Sequence, residues 1–78
     1  MKTLNNTAVA VYFQTTIAIV KSILQSRNYF ITLEKEISGG WQIRTGTGTI
    51  INVMKSGKII LQGKNDTYIQ ELLGFLRD

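Results

Sequence analysis

At 78 residues the chain is near the lower end of what folds alone, so it is expected to hold one core and one domain spanning residues 1–78, which excludes a second domain. Having neither cysteine nor histidine, it lacks the side chains for disulfides, zinc fingers, iron–sulfur sites, thiol nucleophiles and imidazole acid–base chemistry. Nine Lys+Arg against five Asp+Glu give +4, a balance that favours an acidic partner such as nucleic acid and equally serves to keep a small domain in solution.

An apolar run follows Lys2, but Asn5, Asn6, Gln14, Thr15 and Thr16 interrupt it and no small-x-small cleavage pattern closes it, so it reads as folded domain rather than signal peptide. No segment reaches the roughly 18 uninterrupted apolar residues of a membrane span, and a cysteine-free chain fits the reducing cytoplasm. Thr7 to Phe13 is rich in valine and aromatic residues and predicts a first strand, ended by Gln14-Thr15-Thr16. Thr15 or Thr16 then caps a helix to Arg27 whose apolar positions Ile17, Val20, Ile23 and Leu24 share one face. A single helix from Thr7 to Arg27 is the competing reading, because alanine, leucine and lysine tolerate helix well.

Tyr29 to Ile37 alternates, with Tyr29, Ile31 and Leu33 against Phe30, Thr32, Glu34 and Glu36, and predicts a strand buried on one side that leaves both glutamates on the other. Gly39-Gly40 turns the chain, Trp41 to Thr45 is a short strand, Gly46-Thr47-Gly48 turns it again, and Thr49 to Met54 with Lys58 to Gln62 form a hairpin. Asn65 or Asp66 caps a last helix in which Ile69, Leu72, Leu73 and Leu76 follow i, i+3, i+4, i+7 spacing, with Arg77 near its C-terminus complementing the dipole. The expected fold is α+β, in the order β-α-β-β-β-β-α: one antiparallel sheet with both helices on one face and the opposite face free for function.

The hairpin decides which side chains occupy that free face. A two-residue Ser56-Gly57 turn would mix polar and apolar groups on both sides. A three-residue loop Lys55-Ser56-Gly57, with Gly57 in the left-handed position of a G1 bulge, pairs Val53 with Ile59 and Ile51 with Leu61, making one face aliphatic. Asn52, Met54, Lys58, Ile60 and Gln62 then share the other face, which reads either as a binding surface or as a solvated sheet. Lys35, Arg44, Lys55, Lys58 and Lys64 gather in the central and late strands, and Lys55 and Lys58 flank the hairpin tip, where they reach toward phosphates or blunt an edge.

The run TIINVMKSGKIILQGKN, Thr49 to Asn65, resembles the strand–Ser-Gly-Lys–strand segment of TATA-binding-protein-like domains, most closely the N-terminal substrate-binding domain of bacterial ribonuclease HIII. The resemblance implies one repeat of that fold over Thr7 to Leu76 and nucleic acid, DNA or an RNA–DNA hybrid, on the open sheet face. The family's contact positions fall here on Asn52, Met54, Lys58, Ile60 and Gln62. The chain departs from the pattern in carrying Met54 where the family has a large wedge aromatic, and a single repeat suggests a homodimer joined edge to edge through the first strand.

Neither glycine pair is followed by the helix and Lys-Ser/Thr of a phosphate loop. Trp41, Tyr29, Phe30 and Tyr68 read mainly as packing, although Trp41 is also a candidate for stacking on a base, and the carboxylate pairs Glu34/Glu36 and Asp66/Glu71 read as solvated faces. The expectation is a non-enzymatic module that needs no cofactor or metal. Arg44, Asn52, Met54, Lys55, Lys58, Ile60 and Gln62 would carry binding of nucleic acid, or of a protein if the chain is instead an adaptor or inhibitor of the kind mobile elements encode.

Overall fold

The computed structural model describes residues 6–64 and 66–74, with side chains from Tyr12 onward. The elements are α1 (Asn6–Ser26), β1 (Ile31–Ile37), β2 (Gly40–Thr45), β3 (Thr49–Met54), β4 (Ile59–Gly63) and α2 (Thr67–Leu72). The four strands form one antiparallel sheet in the order β1-β2-β3-β4.

The strand expected over Thr7 to Phe13 does not form; that segment is the first part of α1. No glycine or proline interrupts Asn6–Ser26, and Phe13, Ile17, Val20 and Leu24 make a continuous stripe at spacings of four, three and four residues. Ile17, Val20 and Leu24 are buried and Phe13 packs beside them, so burial along one stripe outweighs the few tenths of a kcal/mol by which each valine disfavours helix. The polar run meant to end a strand is absorbed: the Thr16 hydroxyl donates to the Tyr12 carbonyl one turn back, at 2.9 Å.

At its C-terminus the helix is closed by paired backbone bonds. Tyr29 N–H donates to Leu24 O at 2.9 Å and Asn28 N–H to Gln25 O at 3.1 Å, around a left-handed Asn28 with φ of +64°. This closure returns Tyr29 to the core and starts β1 in the opposite direction.

The hairpin adopts the three-residue loop. Val53 pairs with Ile59 and Ile51 with Leu61, Met54 N–H donates to Lys58 O at 2.9 Å, and Gly57 has φ of +98°, which a side chain would strain. Ile51, Val53 and Ile59 therefore join Ile43 of β2 in the core, with Leu61 packed against them. Val20 and Leu24 from α1, Ile69 from α2 and the following Leu73 complete the cluster, so both helices lie on the same face of the sheet.

Asp66 caps α2: its Oδ1 accepts from Tyr68 N–H at 3.0 Å and Ile69 N–H at 3.2 Å. Its Oδ2 accepts from the Tyr29 hydroxyl at 3.3 Å, and the Tyr29 and Tyr68 rings stack at 6.2 Å, which ties α2 to the start of β1. Burial, then the Asp66 carboxylate, pushes the Tyr29 phenol above its ordinary value. Asn65, Leu76 and Arg77 lie outside the described residues. No helix among the described residues is long and apolar enough to cross a membrane.

The continuity of α1 has a direct test. Proline is tolerated in the first turn of a helix that begins after a strand, but in a helix interior it removes a hydrogen bond and clashes. Thr16→Pro is therefore expected to cost about 3 kcal/mol or more in urea denaturation; near-neutrality would restore the strand–helix division.

Candidate nucleic-acid interface

Strand pairing lays three rows of side chains across the face opposite the helices. Leu33, Arg44, Ile50 and Gln62 form the first, Lys35, Gln42, Asn52 and Ile60 the second, and Ile37, Gly40, Met54 and Lys58 the third. Six of the seven sequence-predicted residues, Arg44, Asn52, Met54, Lys58, Ile60 and Gln62, are thus brought onto one surface. Lys55 is not: its ammonium sits 5.9 Å from the Phe13 ring centroid, on the helix side of the hairpin tip. The loop turns Lys55 and Lys58 to opposite faces.

The two glutamates are placed differently from the sequence expectation. Ile31 pairs with Thr45 but Leu33 pairs with Arg44, so β1 carries one extra residue at Thr32. The bulge breaks the simple alternation. Ile31 stays inward, Leu33 and Lys35 turn to the open face, and Glu34 and Glu36, opposite Ile43 and Trp41, turn to the helix side. There Glu34 accepts from the Trp41 indole N–H at 3.0 Å and meets Lys21 of α1 at 3.1 Å. Partial burial works to raise the Glu34 carboxyl, but the Trp41 hydrogen bond and the Lys21 ammonium outweigh it and hold the group below its ordinary value. Trp41 is half-buried against the core with its N–H engaged, which leaves it no part in the open face.

The centre of the open face is a chain of amides. Arg44 Nε–H donates to Gln42 Oε1 at 3.0 Å, Gln42 Nε2–H to Asn52 Oδ1 at 3.0 Å, and Asn52 Nδ2–H to Gln62 Oε1 at 2.8 Å. Its direction follows from chemistry. A guanidinium only donates, so Gln42 must turn its oxygen to Arg44 and its NH₂ to Asn52, and Asn52 must in turn offer its NH₂ to Gln62. Gln42 and Asn52 are buried beneath their neighbours, and among the described residues no buried side-chain nitrogen or oxygen lacks a partner. Asn52 therefore lies on the expected face, with its amide spent on positioning Gln42 and Gln62.

Met54 is half-buried against the Gly39-Gly40 turn; a β-carbon at Gly40 would overlap the Val53 carbonyl and come within 3.0 Å of Met54 Sδ. Sequence reasoning assigned Phe30 to packing, yet it is 83% exposed. Gly46 N–H donates to Phe30 O at 2.9 Å, extending the β1–β2 ladder by one pair, and a β-carbon at Gly46 would lie 3.7 Å from Phe30 Cβ and from Thr32 Cγ2. Phe30 thus alternates with the inward Ile31 and projects from the open face. The signal was its position between Tyr29 and Ile31, both of which pack on the core.

Among the described residues no group of three or more His, Cys, Asp or Glu is placed to hold a metal. Comparison of the chain with protein-family models, with curated proteins and with solved structures finds no match. The geometry of this face is accordingly the basis for a functional reading.

Two measurements check the site's electrostatics and its amide chain. Because folding lowers the Glu34 value, its stabilisation is complete above the unfolded-state value of about 4.3 and is lost as pH falls through the lower folded one. Urea midpoints of wild type and Glu34→Gln are therefore expected to differ at neutral pH, by under about 1 kcal/mol for a partly exposed pair, and to converge in acid. Asn52→Ala strands one donor and one acceptor on its neighbours and is expected to cost about 1–3 kcal/mol in the same assay, whereas the exposed Lys58→Ala stays within about 0.5 kcal/mol.

Proposed function

We propose that the chain is a non-enzymatic nucleic-acid-binding module whose contact surface is the open face of its sheet. The observation that carries this reading is the charge on that face: Lys35, Arg44 and Lys58 share it, while the β1 bulge turns Glu34 and Glu36 away. Coulombic attraction to phosphates is strengthened where cations share a face without carboxylates. The amide chain adds to it, because each of its oxygens already accepts one internal bond and its ends, the Arg44 guanidinium and Gln62 Nε2, offer donors to phosphate oxygens.

The resemblance to TATA-binding-protein-like domains supports the same face through Ser56, Gly57 and Lys58. It accounts for the four strands and the closing helix, but α1 occupies the segment where that pattern has a leading strand. Edge pairing of two copies through a first strand consequently has no basis, and the reading needs no second copy. A protein-binding adaptor is the second reading, favoured by Leu33 and Ile60, which are exposed on the same face. Both readings go with a cytoplasmic protein.

Salt dependence separates the two. Binding of labelled duplex DNA, RNA–DNA hybrid and single strands is expected to weaken linearly in log K against log salt, with a slope of about −2 to −3 if three phosphates are neutralised. Lys58→Glu is expected to weaken all three and to reduce the slope by about one. An absence of binding at low salt would overturn the nucleic-acid reading in favour of the adaptor.

A further inference from the structure

Among the aromatic rings of the described residues Phe30 is the most exposed, ahead of Tyr12 on α1. Tyr29 is stacked with Tyr68 and Trp41 donates to Glu34, but Phe30 projects from the corner of the open face with 83% of its surface in water. A phenyl ring opposite a strand glycine has an obvious structural use, which is to lie down over the glycine and cover its backbone. Gly46 is that glycine, yet the exposure of Phe30 is too high for a ring lying on it. Instead the missing side chain at Gly46 leaves the ring without a cross-strand cover.

The face on which the ring stands is cationic and donor-rich. Arg44, two residues before Gly46, takes the diagonal position on the same face, with the Thr32 bulge between it and Phe30. Its Nε donates to Gln42, one row further from Phe30, which leaves the terminal NH₂ groups to meet an anion, and Lys35 stands in that next row on β1. An exposed aromatic ring and a guanidinium on one carboxylate-free sheet face are the combination used to hold an unpaired base and a phosphate near it. Duplex fits less well, since its bases are already stacked and opening them needs an inserted wedge. Met54, the flexible apolar side chain of the open face, is tucked against Gly39 and Gly40 and does not project as one.

We infer that the open face selects single-stranded nucleic acid, with a base stacked on Phe30 and an adjacent phosphate on Arg44. This rests on the nucleic-acid reading above and specifies the state of the strand.

The test compares a fluorescein-labelled DNA strand of mixed sequence with the same strand annealed to its complement, at one ionic strength, by anisotropy. The single strand is expected to bind about tenfold more tightly, in line with stacking of one base. Phe30→Leu, which keeps an apolar side chain and removes the π face, is expected to weaken strand binding roughly tenfold and to leave duplex binding unchanged. Phe30→Trp is expected to retain strand binding and to report it through quenching of the added indole. Both substitutions fall on an exposed side chain, and circular dichroism verifies that the variants fold. Duplex binding as tight as the single strand, or a Phe30→Leu variant that binds the strand like wild type, would overturn the inference and leave the nucleic-acid reading standing. Binding of neither would overturn both.

Discussion

A strand has two faces, so a single residue gained or lost between pairing positions exchanges core and surface along its whole length. Two such counts govern this sheet. Three residues in the Lys55-Ser56-Gly57 loop send Ile51, Val53, Ile59 and Leu61 toward the helices. One extra residue in β1 does the opposite to what the sequence pattern suggests, exposing Leu33 and drawing Glu34 and Glu36 to the helix side. A partly exposed ion pair with Lys21 is worth under about 1 kcal/mol, whereas burying a leucine returns about 1.5–3 kcal/mol, so the partners of Glu34 do not explain the bulge alone. The bulge lets Ile31 remain inward beside Tyr29, and it breaks the regularity of an outer strand, where an unpaired edge is a liability.

The second constraint is the chain of amides across the open face. A buried amide left unpaired costs about 1–3 kcal/mol, so Gln42 and Asn52 are tolerable only because each link is made. Having a donor-only residue at its head gives the chain one direction. Each amide oxygen is turned to a donor within the chain, and the Arg44 guanidinium and the Gln62 NH₂ stand at its two ends. The same bonds that make the centre rigid also give it a chemical sign, and that sign agrees with the charge of Lys35, Arg44 and Lys58.

How much of this was legible in the sequence follows from the range of the interactions. The hairpin register, the glycine turns, the Asp66 cap and the buried Ile69 and Leu73 are set by neighbours within a few residues, and all were readable. The first part of α1 reads as a strand because valine content is a local propensity, while the stripe that wins is stabilised by residues of β2, β3 and β4 far along the chain. The bulge at Thr32 has no local marker: neither glycine nor asparagine stands there, and simple alternation gave the wrong side for Leu33, Glu34 and Glu36. The exposure of Phe30 was implicit in the inward placement of Tyr29 and Ile31 and was missed because an aromatic ring is more often core. Of the site, the hairpin's outward residues were readable from parity, but the Gln42–Asn52–Gln62 links required the pairing of β2, β3 and β4 to be known together.

The relief of the open face bears on the size of its ligand. Its middle is filled by the buried Gln42 and Asn52, and Met54 folds against the Gly39-Gly40 turn, so the projecting groups stand at the margins. Phe30 is at one end of the outer strand β1, and Lys58 is at the other end of the sheet, beside the outer strand β4. Strands of six residues at about 3.3 Å per residue put these corners roughly 20 Å apart or more once the width of the sheet is added. A small molecule cannot engage both, and a compact anion would need only one cation. An extended polymer with charge at regular intervals can meet Phe30 and Arg44 at one corner and Lys58 at the other, with Lys35 and Gln62 along its sides. The spacing of the groups thus suits an extended partner laid diagonally across the sheet rather than a small molecule.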